Sequence, residues 1–380
     1  MISYIVTWII TRFVWLLPLP IAPRLIKIGN PDRSSPVLVT CNWRLTVREL
    51  MYRLRNEHLY LLVANSRGIN VWCAAAGGHL THHDVISIIK TSGIEEQVDH
   101  RTVILPQLAA TGIDVAYIKR KIDWRAVWGP VSSQDIPEFL SGGREKADRM
   151  RRVEFGLGRR MSVALGWAAQ LSIPAVLIFS FVNWEAILPL IALIFGMSCA
   201  LFVAFPLYKR FLGRPSRTCA GIAFGFEQGG IQLMLWGLFT AGLVIPAGVV
   251  GGESALFLFH WSLAGLVVTL FLTFDLAGST PVYKSVEHEE RAFAVILDKE
   301  KCRGTGICIE VCPRGCFDMD GENRKIMFAR SDDCEQCAAC IVQCPFDALS
   351  FISGRGERIS SETTRTYKLN LMGKRQVKAS

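Results

Sequence analysis

Apolar and polar positions alternate irregularly over the first part of the chain, in a way that predicts both strands and helices. Strands are predicted at 36–40, 60–64, 115–118 and 126–128, and helices near 46–55, 82–90 and 133–140. Alternation of the two kinds of element is typical of a mostly parallel sheet covered by helices. We therefore expect an α/β domain of the Rossmann-like type over residues 29–143.

The middle of the chain is apolar enough to enter a membrane. Lys and Arg are absent from 161–208 and from 218–283, and each stretch is long enough for two spans of about 20 residues. The pattern predicts a four-helix transmembrane domain within residues 144–280. Its helices are expected near 162–182, 186–207, 226–248 and 254–275.

The net charge of +9 is concentrated beside these apolar stretches, which explains it by membrane topology and not by nucleic-acid binding. The basic segments 144–160 and 208–217, and everything after 276, are placed in the cytoplasm by the positive-inside rule. An even number of spans returns the chain to the side it left. A multi-pass protein of the cell membrane is therefore predicted, with both soluble domains in the cytoplasm and the lipid bilayer as a partner.

Two terminal segments fall outside these domains. Residues 1–28 are apolar but contain Arg12 and lack a small-residue cleavage site, so they do not resemble a cleaved signal. An interfacial helix is favoured over an extra span. Residues 353–380 are polar and basic and are expected to form a flexible tail.

Eight of the twelve cysteines lie between Cys302 and Cys344. The spacing Cys334-x-x-Cys337-x-x-Cys340-x-x-x-Cys344-Pro is typical of bacterial two-cluster ferredoxins, in which the fourth cysteine binds the other cluster. A zinc site would need ligands in two separated pairs. Residues 281–352 are therefore predicted to form an α+β dicluster ferredoxin domain, which requires a reducing compartment.

One of the two predicted cluster sites lacks a cysteine, because Thr305 stands where the repeated spacing requires one. A complete [4Fe–4S] site is expected at Cys312, Cys334, Cys337 and Cys340. The incomplete site retains Cys302, Cys308 and Cys344. It would hold a [3Fe–4S] cluster, a [4Fe–4S] cluster with water or Thr305 at one iron, or a cluster that recruits Cys316.

The segment around Cys316 resembles seven-iron ferredoxins, which carry a cysteine that is not a ligand at this place. That resemblance favours the three-iron alternative. The simpler alternative makes Cys316 a small buried residue.

A second constellation lies at Gly68–Gly78, where Cys73 stands among small residues near a predicted helix start. Small side chains would let a large planar ligand approach the backbone, and a helix start favours a thiolate metal ligand. The alternative is a packed apolar cysteine. His79, His82 and His83 are alternative ligands. In the simpler alternative they are not ligands, and His82 and His83 occupy the exposed first turn of a helix after the N-cap Thr81.

The segment from Ile28 to about Leu140 resembles the corrinoid-binding domain of the mercury-methylation corrinoid proteins, membrane relatives of the corrinoid iron–sulfur protein of acetyl-CoA synthesis. Matching residues continue at the borders of the membrane block, and the C-terminal module resembles the family's separate ferredoxin partner. The resemblance is carried by Ile28–Asp32, Pro36–Thr40, Asn42, Leu45, Thr46, Gly68–Ala75, His100–Arg101, Ile104–Leu108, Gly129–Val131, Arg151–Val153, Phe155–Leu157 and Ala277–Thr280.

This resemblance implies that Cys73 is the lower axial ligand of cobalt in a cobalamin-type corrinoid. The residues that it implies for the corrinoid site are Thr40, Asn42, Asn70, Val71, Trp72, Cys73, Ala74, Ala75 and Gly77. The chain departs from the family where Ala76-Gly77 replaces Gly-Lys, where no cysteine follows Cys344, and in having four predicted spans where the family is drawn with five.

Taken together, these features predict a membrane-bound corrinoid methyltransferase whose ferredoxin domain reduces the corrinoid. Its expected partners are a cytoplasmic electron donor and a methyl donor, either a protein or a methylated cofactor. Methylation of Hg(II) is one alternative. An electron-transfer protein that has lost its corrinoid is the other.

Overall fold

The computed structural model describes residues 19–208, 229–274, 293–353, 356–370 and 373–377. These residues form two compact units. One contains 19–153 together with 293–377, and the other contains 154–274. The N-terminal segment up to residue 18 and the basic loop 209–217 lie outside the described residues, as do the predicted start of the third span and the segment 281–292.

A five-stranded sheet forms the centre of the first unit. Its strands are β1 Arg24–Ile28, β2 Val37–Cys41, β3 Leu59–Ala64, β4 Thr102–Leu105 and β5 Arg125–Trp128. The order is β1-β3-β2-β4-β5, with β1 antiparallel to β3 and the other neighbours parallel. The mostly parallel sheet expected from the sequence is therefore present. The strand order reverses between β2 and β4, and in open α/β sheets ligands bind at the carboxyl ends of the strands beside such a reversal.

The two central strands are buried along their whole length because apolar layers cover both faces of the sheet. Val37 and Val39 of β2 join one layer, and Leu38 between them joins the other. Side chains of a strand point alternately to opposite faces, so a continuous apolar run supplies both layers at once.

Seven helices accompany the sheet within residues 19–153. They are α1 Arg44–Arg53, α2 Val71–Ala76, α3 His82–Thr91, α4 Ile94–Gln97, α5 Val115–Ile122, α6 Ile136–Ser141 and α7 Asp148–Arg151. The strand predicted at 115–118 is wrong, because these residues begin α5. The carboxylate of Asp114 caps that helix by accepting a hydrogen bond from Tyr117 N at 3.1 Å.

Two strands were not recognised in the sequence. β1 lies in the segment assigned to an apolar N-terminus, yet it pairs with β3 over five residues and extends the sheet before residue 29. β4 has only four residues, and its run Thr-Val-Ile-Leu is too short for periodicity to identify.

The second unit consists of apolar helices. They are α8 Leu157–Val182, α9 Ile187–Tyr208, α10 Gly229–Phe239, α11 Ile245–Gly251 and α12 Ala255–Phe274. A π-helical turn, Thr240–Val244, joins α10 to α11. Four candidate spans result, at Leu157–Val182, Trp184–Tyr208, Met234–Gly251 and Ala255–Leu272, which are long and apolar enough to cross a membrane by length and composition.

Small residues bring the first two of these spans together. Ala164 and Ala168 of α8, one helical turn apart, are buried in the same cluster as Leu201 and Phe202 of α9. Large apolar side chains such as Phe181 remain exposed on the outside. Close packing through alanines and an apolar exterior are typical of helices that meet within a bilayer.

The ferredoxin-like part of the first unit contains short strands and helices. They are β6 Ala294–Leu297, α13 Ile307–Val311, β7 Phe317–Met319, β8 Ile326–Phe328, α14 Ala339–Gln343, β9 Leu349–Ile352, β10 Arg358–Ile359, α15 Ser361–Thr366, β11 Tyr367–Asn370 and β12 Gly373–Gln376. β10, β9 and β6 form a sheet, while β7-β8 and β11-β12 are separate hairpins. This part is α+β, as predicted.

The tail expected to be flexible is instead folded over much of its length. The hydroxyl of Ser360 caps α15 by accepting a hydrogen bond from Thr363 N at 3.1 Å. Arg365 of α15 donates hydrogen bonds to Val342 O at 3.0 Å and to Cys344 O at 2.8 Å. Polar and basic composition suggested flexibility, but here an arginine satisfies carbonyls at the end of α14 and ties the tail to the ferredoxin part.

Candidate functional site

The cysteines lie on two loop–helix segments that share one backbone conformation. Gly304 and Gly306 have φ values of +67° and +75° before α13, and Gln336 and Ala338 have +54° and +67° before α14. A left-handed conformation is unfavourable for residues other than glycine, so its repetition in the second segment indicates a loop shape that the surrounding structure enforces. By cysteine spacing and by these matching φ values, Thr305 stands at the position that corresponds to Cys337.

The first cavity of the ferredoxin part measures about 320 Å³, part of it open to solvent. Five cysteines line it, namely Cys312, Cys316, Cys334, Cys337 and Cys340. Four of them are the residues that the spacing assigns to the complete cluster. Cys312 comes from the first sequence motif and the other three come from the second, as expected where the fourth cysteine of each run crosses over.

The second cavity measures about 300 Å³ and is lined by Cys302, Cys308, Cys344 and Thr305. Its cysteines are the three that the spacing leaves for the incomplete cluster. Cys316 lines the first cavity and not this one. Recruitment of Cys316 to the incomplete cluster, one of the three sequence-based alternatives, therefore disagrees with the geometry.

Backbone N–H groups point at the cysteine sulfurs in the two halves in the same way. Cys316 N donates to Cys312 Sγ at 3.3 Å, and Ala348 N donates to Cys344 Sγ at 3.4 Å. Gln336 N also donates to Cys334 Sγ at 3.4 Å. Such bonds stabilise negative charge on the sulfur, and they are a means by which proteins adjust the potential of a cluster.

Burial raises the pKa of the Cys308 thiol to about 12 and raises that of Cys340 well above its usual range. The hydrogen bond that Cys316 donates lowers the pKa of Cys312 to about 6 and raises that of Cys316. In the described part of the chain, no three His, Cys, Asp or Glu side chains converge on a point that suits a single metal ion. The sulfurs surround cavities instead, a donor set that fits a polynuclear cluster.

Cys73 lies in the first turn of α2, at the carboxyl end of the sheet, and is exposed. The side chain of Asn70 caps α2 by accepting a hydrogen bond from Cys73 N at 2.9 Å. The amide nitrogen Nδ2 of Asn70 lies 3.4 Å from Cys73 Sγ. One side chain thus orients both the backbone and the sulfur of Cys73 toward the outside.

The loop that carries Cys73 is fixed from beneath by Asn42, which follows β2. Asn42 Oδ1 accepts hydrogen bonds from Ser66 N at 3.0 Å and from Gly68 N at 2.8 Å. Its Nδ2 donates to Ile21 O at 3.0 Å. A buried amide that forms hydrogen bonds through both its oxygen and its nitrogen rigidifies the turn between β3 and α2.

The residues predicted to contact a corrinoid fall into two groups. Asn70, Val71, Trp72 and Cys73 retain exposed surface, whereas Thr40, Asn42, Ala74, Ala75 and Gly77 are buried. Ala75 packs so closely against the next loop that a Cβ atom on Gly112 would lie 2.6 Å from Ala75 O. The small residues therefore allow close packing inside the domain, and the open surface available to a ligand is formed by the first group.

The predicted cap at Thr81 is present, but the histidines after it are not both exposed. Thr81 N and its hydroxyl both bond Asp84 Oδ2 at 2.7 Å, which forms the cap. His82 is buried against the rings of His83 and Tyr117, and its Nδ1 has no hydrogen-bond partner. Burial lowers the pKa of His82 to about 4. The expectation of two exposed histidines is wrong for His82.

The ferredoxin part packs directly on the α/β domain at a 3-10 turn, Gln107–Thr111, which follows β4. Gln343 of α14 is buried there and donates hydrogen bonds to Ala110 O at 2.7 Å and to Ile113 O at 2.6 Å. Ala339 belongs to the core of the α/β domain, and Cys337 packs against that core. A cluster at the first cavity would thus adjoin the α/β domain.

A buried lysine joins the same surfaces at a second point. The side chain of Lys146 is 4% exposed, and its Nζ donates to Gln107 Oε1 at 3.0 Å and to Glu310 O at 3.3 Å. Burial lowers the pKa of Lys146 to about 8. Neither Lys146 nor Gln343 stands in a recognisable spacing, so sequence reasoning missed both residues.

Known proteins match two separate segments of the chain. Residues 16–140 match the family described as the CO dehydrogenase/acetyl-CoA synthase delta subunit, and residues 301–348 match the 4Fe-4S dicluster domain. The gamma subunit of the acetyl-CoA decarbonylase/synthase complex of Methanopyrus kandleri is 34% identical over 129 residues, which are 32% of this chain and 27% of the relative.

Two further relatives are similar to the chain to the same extent. The corresponding gamma subunit of Methanocaldococcus jannaschii is 34% identical over 131 residues, 34% of this chain and 26% of its own length. The gamma 2 subunit of Methanosarcina thermophila is 36% identical over 127 residues, 32% and 27% of the two chains. The chain spans about a quarter of the length of these relatives. The likeness therefore concerns one domain of each protein.

Proposed function

We propose that this chain is a membrane-bound corrinoid iron–sulfur protein that transfers a methyl group through cobalt, and that its ferredoxin part reduces the corrinoid. The observation that carries the proposal is the packing of α14 on the turn Gln107–Thr111, which in turn packs on α2, the helix of Cys73. The first cavity and the exposed thiol of Cys73 are thereby connected through elements that pack directly on one another.

The residues present fit a corrinoid at the carboxyl end of the sheet. Cys73 would supply a thiolate ligand, and Asn70 would hold its sulfur in place. Val71 and Trp72 would border the ring on the open side of α2. We infer a Rossmann-like classification for this domain from its strand order. The order reverses beside the turn on which the ferredoxin part packs. When bound, the corrinoid would supply a cobalt centre that accepts and donates a methyl group.

The chain's own residues have three tasks in this proposal. Asn42 and Asn70 fix the loop that presents Cys73, the cysteines of the two cavities hold clusters, and Gln343 keeps those clusters against the α/β domain. The four apolar helices would anchor the chain in the cell membrane with both soluble parts in the cytoplasm. An electron donor and a methyl donor would meet it there.

Anaerobic purification of the native chain and of Cys73→Ala tests the proposal. Native protein should contain cobalt and show a sulfur-to-cobalt band in its visible spectrum, and Cys73→Ala should lose the band while keeping its iron. Cys199→Ala is the matched control, because Cys199 lies in α9 among the apolar helices. This variant should retain both metals and the band.

The methyl acceptor is tested separately. Protein methylated with a methylcorrinoid donor should pass the group to Hg(II) slowly or not at all, because Ala76-Gly77 replaces the family's Gly-Lys. Fast formation of methylmercury would make mercury the substrate. Native protein that binds no corrinoid, even after reconstitution, would leave electron transfer as the function of the chain.

A further inference from the structure

The second cavity has one wall that contains no cysteine. Cys302, Cys308 and Cys344 are buried, whereas Thr305, at the position that corresponds to Cys337, is exposed. Its counterpart Cys337 is half-buried and packs against the α/β core. The two cluster sites therefore differ in access as well as in ligand type.

No other side chain of this wall can replace the missing thiolate. Besides the three cysteines, the described residues that line the second cavity are Thr305, Arg303, the two small residues Gly304 and Ala348, and large apolar side chains, among them Phe346. Cys316, the nearest alternative in sequence, lines the first cavity. The threonine hydroxyl is a weak ligand for iron where thiolates are available.

The loop that carries Thr305 also packs closely against a neighbouring segment of the ferredoxin part. A Cβ atom on Gly304 would lie 1.9 Å from Arg324 O, so the backbone of the loop passes in contact with the chain near β8. Lys325 fastens that segment further by donating from Nζ to Lys299 O at 2.6 Å. Thr305 is consequently fixed at the solvent-exposed side of the cavity.

We propose that the second cavity holds a cluster whose iron at the Thr305 corner takes an external ligand, and that this ligand is a small anion or a thiolate from solution. Arg303 lines the same cavity beside Thr305 and carries the positive charge that favours an anion. The site is independent of the corrinoid proposal, since it requires the clusters alone. It gives the protein a cluster iron that is open to a ligand from solution.

Removal and return of one iron provide the first test. Ferricyanide should convert this cluster from [4Fe–4S]²⁺ to [3Fe–4S]⁺ with release of one Fe²⁺ and one electron, which the ferricyanide accepts. The chain should then hold about seven irons and give the electron paramagnetic resonance signal of a three-iron cluster. Fe²⁺ with one electron from dithionite should restore about eight irons.

Ligand binding to the restored protein provides the second test, with 2-mercaptoethanol and cyanide as the probes. After one further electron from dithionite has reduced the cluster to [4Fe–4S]⁺, each probe should shift the electron paramagnetic resonance spectrum of one cluster only, in a saturable manner. Thr305→Cys should abolish both the iron loss and the shifts, and Thr305→Ala should preserve them. Arg303→Leu should weaken cyanide binding about tenfold, which corresponds to about 1.4 kcal/mol, because it removes the positive charge that favours an anion. The iron loss should be unchanged.

Three results would overturn the proposal. Native protein could retain about eight irons after ferricyanide, the two probes could leave both clusters unchanged, or Thr305→Cys could behave like the native protein. Thr305→Cys should bind cobalt as the native chain does. Failure of this proposal is thereby distinguished from failure of corrinoid binding.

Discussion

Cys73 and the cluster cysteines use the same side chain in opposite environments. Cys73 is exposed in the first turn of α2 and is oriented by a neighbouring amide. Cys340 in α14 and Cys312 directly after α13 are buried, 6% and 7% exposed, and both line the first cavity. Enclosing thiolates suit a small inorganic cluster, whereas a single outward thiol suits a ligand that the protein covers from one side only.

The comparison also separates the two kinds of site by what supports them. The α/β domain holds Cys73 through hydrogen bonds of Asn42 and Asn70, which do not depend on any metal. The ferredoxin part has cysteines in its own core, so its folding should depend on cluster assembly. The Cys73 site of the α/β domain should therefore form without a metal, whereas the ferredoxin part should need its clusters in order to fold.

The largest effect is expected from removing a cysteine that lines one of the two cluster cavities. Cys340→Ala removes a buried ligand of the first cavity and should lower the iron content by about four per chain. Thermal unfolding should then begin at the ferredoxin part, since Cys340 also belongs to its core. Iron analysis and calorimetry measure both changes. A variant with full iron content would show that the first cavity does not hold the cluster assigned to it.

Breaking the contact between the ferredoxin part and the α/β domain should have an intermediate effect. Gln343→Leu leaves Ala110 O and Ile113 O without the donor they share, at a cost of about 2–6 kcal/mol for two buried carbonyls. Hydrogen exchange around residues 107–113 should accelerate, with iron and cobalt contents unchanged. Gln134→Leu, on an exposed part of the α/β domain, serves as the control. Equal exchange in both variants would contradict the importance of this contact.

The smallest effect concerns the pH dependence at the same contact. The pKa of Lys146 is about 8 in the folded protein and about 10.5 in a solvated lysine. Between these values the unfolded chain binds more protons than the folded one, so stability should rise with pH from about 8 to 10.5, by at most about 3 kcal/mol.

Lys146→Met should lose this rise, because it has no group that titrates at that position. The pKa of Lys368 is also lowered to about 8, but Lys368 is present in both proteins. The difference between native protein and Lys146→Met, measured by denaturant titration at several pH values, therefore isolates Lys146. Parallel pH profiles for the two proteins would contradict the assignment.

The sequence was most informative where spacing carries the chemistry. The intervals between the cysteines predicted which of them would hold each cluster, and the structure places those two sets around separate cavities, with Cys316 added to the first. Length and composition were likewise enough to predict four apolar helices. Both signals are local in sequence and depend little on tertiary context.

Tertiary contacts were beyond such reasoning. The run Val115–Ile118 is as apolar as a strand, and the cap at Asp114 decides in favour of a helix. The tail is basic, yet Arg365 ties it to the carbonyls of Val342 and Cys344. Gln343 has no pattern around it that indicates a docking contact. Each of these outcomes depends on a partner that is distant in sequence or on a single capping residue.

The central claim is that Cys73 binds cobalt on the side of the domain that adjoins the clusters. X-ray absorption at the cobalt edge of anaerobically purified protein tests it most directly. The native chain should show one sulfur neighbour of cobalt, and Cys73→Ala should show only nitrogen and oxygen neighbours while its iron content stays unchanged. A native spectrum without a sulfur neighbour, in protein that contains cobalt, would contradict the claim.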